Sequence, residues 1–248
     1  MGIWIGSRTR PRVPTGPCGS AYLAGQSASF SGTNYLERAT EAGISPASLP
    51  LILAGWVYLP TSSGFQTLVT KGEMSSGNYE WLIYHHAASL GVSVSLKTNA
   101  GSWSMSTGAP LSTAAWHHVY VLWKALGSEL WVDGTQLATN SSVGGTMSPN
   151  NTYPLRLGAA ADGGSPAPNG LRLDAWGMWG TGVTVTAASL YNSGSGKAYA
   201  NLTSGDKTGL IAYYNLDEVD GSATWCDWSG NGYHLTNVSS VVTAAGKV

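Results

Sequence analysis

Hydrophobic and polar positions alternate over short stretches of the chain, which is the two-residue period of a β-strand. In the clearest case Leu90, Val92, Val94 and Leu96 alternate with glycine, serine and lysine. Such a strand has one face in a core and one polar face. Other short apolar runs between turn residues predict strands at 28–32, 33–37, 51–59, 66–70, 79–85, 154–158, 171–179 and 210–216. Helix is predicted only at 186–191 and 197–202.

The stretch from Trp116 to Gly134 predicts two strands joined by a turn. Residues 116–124 are largely apolar on both faces, so we expect this strand in the interior of a sandwich, covered on each side. Gly127 lies in the bend, and Asp133-Gly134 makes the next turn because glycine accepts a positive φ. Residues 139–151 are polar and predict a loop.

The composition supports an all-β chain with one main core. Of 248 residues only 10% are charged, whereas 33 are glycine and 11 are tryptophan. This predicts many turns and large flat side chains between sheets. A net charge of -1 gives no reason to expect nucleic acid or a membrane as partner. Cys18 and Cys226, the only cysteines, can pair only if the two ends of the fold meet.

Residues 1–17 contain three prolines and three arginines without periodicity, which predicts an extended basic arm ahead of a single domain at 18–248. Such an arm is either a disordered tail or a segment that lies on its own domain or on a neighbouring subunit. For assembly we single out Trp4, Arg8, Arg10 and Arg12. An acidic cluster at residues 217–227 is one complementary target.

Three segments resemble the laminin-G-like, concanavalin A-like jelly-roll superfamily: 28–36 (ASFSGTNYL), 54–60 (AGWVYLP), and Trp116-His-His-Val with Leu130-Trp-Val-Asp-Gly. A fourth, Tyr213-Tyr-Asn-Leu-Asp-Glu with Asp227-Trp-Ser-Gly-Asn-Gly, resembles the family segment that usually precedes the first, but here it comes last. The resemblance implies an all-β, two-sheet antiparallel jelly-roll sandwich in circularly permuted order, with its two ends close together. A further stretch, 190–199 (LYNSGSGKAY), resembles a connector of this group that is often found in bacteriophage and environmental bacterial sequences.

Glycanases of this superfamily carry a Glu-x-Asp-x-x-Glu strand, because glycoside hydrolysis needs paired carboxylates. The nearest segment here begins Glu218-Val219-Asp220, but the last acid is missing. No Gly-x-Ser-x-Gly elbow supports a nucleophilic serine. In His117-His118 and His85-His86, adjacent strand residues point to opposite faces and cannot chelate one ion. We therefore expect a non-enzymatic protein.

Oxygen ligands on the glycine-bent loop after Asp227 suggest a structural calcium ion, which many similar jelly rolls hold. The predicted ligands are Asp227, Asn231 and Glu218. The alternative is that Asp227 and Asn231 hydrogen-bond their own turn, as such residues commonly do. Both interpretations remain open from the residues alone.

Eleven tryptophans suggest a sugar-binding surface, because a flat aromatic face stacks on a pyranose ring. Trp56, Trp116, Trp123 and Trp131 lie in predicted core strands and are assigned to packing. The tryptophans near loops or strand ends are the candidates for a binding rim: Trp81, Trp103, Trp179 and Trp228.

These features predict a structural or assembly protein, such as a phage capsid decoration or tail-fibre subunit, whose arm contacts neighbouring subunits. The expected state is oligomeric or particle-bound, on a virion or extracellular surface, with neither signal peptide nor transmembrane segment. The alternative is a carbohydrate-binding lectin module that mediates adhesion to cell-surface glycans. This fold hosts both roles, so the fold alone does not choose.

Overall fold

The computed structural model describes residues 14–62, 64–86, 90–149, 152–162 and 167–248, which form sixteen β-strands and one α-helix. The strands are β1 (Gln26–Phe30), β2 (Tyr35–Arg38), β3 (Leu51–Tyr58), β4 (Phe65–Gly72), β5 (Tyr79–His86), β6 (Gly91–Thr98), β7 (Gly101–Ser106), β8 (Trp116–Trp123), β9 (Leu126–Val132), β10 (Thr135–Ser142), β11 (Leu155–Leu157), β12 (Leu171–Trp179), β13 (Leu210–Tyr214), β14 (Thr224–Trp225), β15 (Leu235–Val238) and β16 (Val242–Ala245). The helix is α1 (Ala187–Tyr191), and short 3₁₀ turns lie at 42–44, 192–194 and 199–201.

The strands form two antiparallel sheets. The first sheet has the order β10-β9-β8-β3-β12-β1-β16, and β13 also pairs with β12. The second has the order β14-β15-β2-β11-β4-β5-β6-β7. This confirms the predicted two-sheet antiparallel sandwich. The neighbours β1 and β2 lie in different sheets, so the glycine turn between them crosses from one sheet to the other.

The core between the sheets follows the predicted alternation except at Leu90, which precedes β6 and is 40% exposed. On β6, Val92, Val94 and Leu96 are fully buried, as expected from the sequence. On β8, the inward Val121 and Trp123 are fully buried. On the opposite face His118 and Tyr120 are buried and Trp116 and Leu122 are half-buried, so the prediction of a strand covered on both sides is confirmed for its central residues.

A second hydrophobic layer covers the outer face of the first sheet. Residues 183–202 lie there, and α1 begins where the Thr186 hydroxyl accepts the N–H of Ser189 at 3.2 Å. Beneath this segment lie Trp56 and Trp179, which is fully buried. Trp56 is in the core as predicted. Trp179 is not a rim residue, because the helical segment covers it.

The two ends of the described chain meet at one edge of the sandwich. β16 pairs with β1 over four residues of each strand, and a disulfide joins Cys18 to Cys226. The prediction that both ends lie close together is confirmed. Whether the strand order reflects a circular permutation of the family order stays a prediction.

Two expectations need correction or completion. The loop predicted at 139–151 is wrong over its first residues, because β10 extends to Ser142 as a polar edge strand paired with β9. Its side chains carry no alternation, so only the backbone pairing reveals it.

Within the predicted arm, residues 14–17 fold back on 20–22, with Gly16 N–H donating to Ser20 O at 2.8 Å. Trp4, Arg8, Arg10 and Arg12 lie outside the described residues.

Candidate functional site

The four tryptophans predicted for a binding rim do not form one. Trp81 is 1% exposed because its position on β5 points into the core, so this prediction, like that for Trp179, is wrong. Trp103 is half-buried on the edge strand β7, where its indole N–H donates to Thr98 Oγ1 at 3.1 Å. Trp228 follows β14 at the opposite edge of the same sheet and packs edge-on against Tyr22. No single groove therefore includes all four.

The predicted calcium ligands are occupied by the protein itself. The two carboxylate oxygens of Asp227 accept the N–H groups of Tyr213, Ser229 and Tyr233 and the hydroxyl of Ser229, at 2.8–3.0 Å. Asn231 donates its amide to Ile211 O at 2.8 Å.

Glu218 is also buried but does not take part in these contacts. Its Oε1 accepts the Cys226 N–H at 2.8 Å. Across the described ranges, no group of three or more His, Cys, Asp or Glu is arranged to hold a metal ion. The alternative interpretation, in which Asp227 hydrogen-bonds its own turn, describes the geometry of that carboxylate. Calcium binding itself stays a prediction.

The histidine pairs point to opposite faces, as predicted. His118 is buried under the outer layer beside Trp56, and this burial lowers the pKa of His118 to about 4. His117 instead faces Asp133, with 2.7 Å between His117 Nδ1 and Asp133 Oδ2. On β5, burial also lowers the pKa of His85 to about 4.

A groove lies on the outer face of the first sheet, at the margin of the second layer. It has a volume of about 390 Å³, which falls in the range of small-molecule sites. One wall is the sheet and the other is the start of the helical segment. The sheet wall consists of Tyr120, Leu122, Glu129 and Trp131, and the helical wall of Val185, Thr186, Ala187 and Ala188.

Strand register brings the sheet wall together. Trp131 on β9 lies directly opposite Tyr120 on β8 and Gln136 on β10. One pair further along, Glu129 lies opposite Leu122 and Thr139 by the same pairings. Because residues opposite each other share a face, aromatic, carboxylate, amide and hydroxyl groups form one grid. The helical segment covers β8 as far as Tyr120 and stops short of β9 and β10, which leaves Leu122 half-buried and Gln136 and Thr139 exposed.

Hydrogen bonds hold the groove's polar side chains in place. The Trp131 indole N–H donates to Glu129 Oε2 at 2.9 Å, and Lys124 Nζ donates to Glu129 Oε1 at 2.8 Å. Burial opposes ionisation of Glu129, but the hydrogen bonds from Lys124 and Trp131 outweigh it and lower the pKa of Glu129. The Tyr120 hydroxyl donates to Val185 O at 3.3 Å and ties the two walls together. The groove thus presents an oriented indole beside an ionised carboxylate.

Comparison with known proteins places the chain in a family. The family model described as the concanavalin A-like lectin/glucanases superfamily matches residues 32–181, more than half of the chain. The chain belongs to this superfamily. This confirms the resemblance in the sequence, whereas a phage origin is not shown. A comparison with curated protein sequences found no match.

Solved structures agree on the fold of this superfamily member. A Bacteroides ovatus protein provisionally assigned to carbohydrate binding is 15% identical with a TM-score of 0.66, over 90% of this chain and 60% of that one. The heptameric SAP-like pentraxin of Limulus polyphemus is 14% identical with a TM-score of 0.56, over 89% and 95%. Domains LG4-5 of the mouse laminin α1 chain are 18% identical with a TM-score of 0.50, over 70% and 46%.

The described part of this superfamily member contains no helix long and apolar enough to cross a membrane. Sequence reasoning missed the groove because it assigned Trp131 to the core, whereas Trp131 is half-buried at the edge of the second layer. The alternation of β9 shows that Glu129 and Trp131 share a face. It does not show where the covering segment ends.

Proposed function

We propose that this protein is a carbohydrate-binding, lectin-like domain that binds a glycan in the groove of Trp131 and Glu129. The observation that carries the proposal is a half-buried indole, held by a carboxylate, in an open groove of about 390 Å³. A sugar ring has one apolar face and a rim of hydroxyls. The indole and Leu122 match the first, and Glu129, Gln136 and Thr139 match the second.

The choice of binding over glycan cleavage rests on the chemistry of this groove. Glycoside hydrolysis requires two carboxylates on either side of the scissile bond. Among the residues that line the groove, Glu129 is the one carboxylate, and Lys124 and Trp131 hold it in the ionised form. The provisional assignment of the Bacteroides ovatus structure to carbohydrate binding supports the same choice.

The experiment is a glycan array probed with the full chain, followed by calorimetric titration of the glycans that bind. Trp131→Ala is expected to weaken binding at least about tenfold, the equivalent of about 1.4 kcal/mol. Glu129→Gln keeps the shape but loses the charge, so a smaller loss is expected. Chelator should have no effect, because the groove uses side chains alone.

The matched control is Trp116→Ala. Trp116 is also half-buried on the outer face of the first sheet, but it packs against Tyr58 away from the groove. Its affinity should equal that of the wild type. Uniform absence of glycan binding would count against the function. Binding that survives Trp131→Ala unchanged would place the glycan elsewhere. The assembly role predicted from the N-terminal arm stays a separate prediction.

A further inference from the structure

Ser112, His117 and Asp133 are hydrogen-bonded in series at the end of the β8–β9 hairpin. Ser112 Oγ lies 2.8 Å from His117 Nε2, and His117 Nδ1 lies 2.7 Å from Asp133 Oδ2. The loop before β8 supplies the serine, β8 the histidine, and the turn after β9 the aspartate. Closure of one hairpin therefore places a hydroxyl, an imidazole and a carboxylate in a line.

The carboxylate is fixed and ionised, which sets the direction of the hydrogen bonds. Asp133 Oδ1 accepts the His118 backbone N–H at 2.8 Å, so Oδ2 is directed at the imidazole of His117. Burial opposes ionisation of Asp133, but the hydrogen bonds from His117 and His118 outweigh it and lower the pKa of Asp133. The Nδ1 of His117 thus carries the proton that Asp133 accepts, and the Nε2 lone pair faces the Ser112 hydroxyl.

The imidazole has a second contact that favours its protonated form. His117 Nε2 lies 3.2 Å from the carbonyl oxygen of Ser112, which accepts the Nε2–H once the ring has taken up a proton. The hydrogen bond to Asp133, together with this carbonyl, raises the pKa of His117. A general base requires this arrangement, because the imidazolium formed during reaction is stabilised where it forms.

The serine is accessible from solvent. Ser112 is exposed, whereas the His117 side chain is only 13% exposed. Two residues after the serine, Ala114 has a φ of 56° and its N–H donates to Leu59 O at 2.8 Å. The loop is therefore anchored in a tight turn behind Ser112, and the exposed Ser112 lies beside its base.

We propose that Ser112 is the nucleophile of an acyl-transfer site, with His117 as general base and Asp133 as a positioning residue. The substrate class is a carboxylic ester, because the serine lies at the surface where an ester on a larger molecule can approach. This site is separate from the Trp131 groove and does not depend on glycan binding there. The serine obtains its setting from the hairpin and not from a Gly-x-Ser-x-Gly elbow.

The reaction proceeds in two steps through an acyl-serine. Ser112 Oγ attacks the ester carbonyl carbon while its proton passes to His117 Nε2. The bond from the carbonyl carbon to the alcohol oxygen then breaks, and the alcohol leaves with that proton. Water attacks the acyl-serine in the same way, giving one proton to His117. The carboxylic acid is released and the Ser112 hydroxyl is restored.

The test uses the full chain with a fluorophosphonate probe and with p-nitrophenyl acetate. Intact-mass measurement should show a single phosphonyl adduct, which peptide mapping places on Ser112. Ester hydrolysis should exceed that of Ser112→Ala by about 10²- to 10⁴-fold, the range of general-base catalysis. Ser104→Ala is the matched control, since Ser104 is an exposed serine on β7, and it should react like the wild type.

A second variant separates positioning from a merely structural role. Asp133→Asn is compatible with the backbone, because asparagine tolerates the φ of 51° at this position. The NMR titration of His117 and the pH midpoint of probe labelling should both move to lower pH in this variant. The proposal is overturned if wild-type Ser112 forms no adduct, if Ser112→Ala labels equally, or if Asp133→Asn leaves both midpoints unchanged.

Discussion

Removal of one partner from the buried Lys71–Glu80 ion pair is expected to destabilise the fold strongly. Lys71 Nζ on β4 lies 3.4 Å from Glu80 Oε1 on β5, and both side chains are fully buried. Ser45 Oγ donates to the same carboxylate oxygen at 2.8 Å. Lys71 Nζ also donates to Thr40 Oγ1 at 3.2 Å and to the Tyr153 carbonyl. The pair thus belongs to a network that joins the second sheet to two loops.

The separation of the two charges sets the expected magnitude. With an effective dielectric constant of about 20, two unit charges this far apart interact by about 5 kcal/mol. Lys71→Met keeps the length of the side chain but leaves the Glu80 carboxylate buried without its cation. Loss of one partner from a buried pair costs about 3–5 kcal/mol. Glu80→Gln should cost a similar amount, and the double variant should lose less than either single variant.

The measurement is urea-induced unfolding at pH 7, followed by tryptophan fluorescence with the disulfide intact. In thermal unfolding of a chain of this size, the same loss of stability corresponds to a drop in Tm of about 6–20 °C. Glu41→Gln is the control, because the Arg38–Glu41 pair is partly exposed and should contribute less than about 1 kcal/mol. A loss in unfolding free energy below about 1 kcal/mol for each single variant would contradict the expected strength of the pair. So would a loss in the double variant equal to the sum of the two single losses.

Three further predictions concern the ends and the core. Replacing Cys18 and Cys226 by alanine opens a loop with a sequence separation of 208, so unfolding experiments should show a loss of up to about 5 kcal/mol; an unchanged urea midpoint would contradict this. Burial raises the pKa of Asp174 to about 7, so the folded state binds a proton more tightly than the unfolded state. The unfolding free energy of the wild type should therefore fall relative to that of Asp174→Asn as pH rises from about 4 to 7. A difference that does not change with pH would refute this. Gly55→Ala would bring a Cβ to 2.4 Å from the Trp176 indole, so a loss of about 1–3 kcal/mol is expected in thermal unfolding, and an unchanged Tm would show that the indole moves freely.

Strands with a clear alternation were predictable because side-chain direction is a local property of the backbone. The apolar positions of β6 and the two-sided pattern of β8 identified the faces that the structure buries. Trp81 shows that closeness to a strand end does not predict whether a side chain is exposed. It lies near the start of β5, which suggested a rim, yet its parity on the strand directs it into the core.

The candidate sites depended on contacts between residues far apart in sequence. Trp131 belongs to a groove only because residues 183–202 return across the sheet and end their coverage at β8. Ser112 lies in the loop before β8, and Asp133 lies in the turn after β9. Only the closed hairpin brings both to His117. His117, Trp131 and Asp133 lie in the segments that resemble the superfamily, but those segments identify strands and a turn and do not show which residues share a site.

The fold class, the strand that anchors it and the membership of a known superfamily could be predicted from the amino-acid sequence alone. These follow from hydrophobic periodicity and short motifs, which depend on neighbours along the chain. Three features emerge only from the folded chain: Asp227 accepts hydrogen bonds from its own turn, Cys18 meets Cys226, and Trp131 lines a groove. The physical reason is that burial and hydrogen-bond partners are set by which surfaces the sheets and the outer layer bring together.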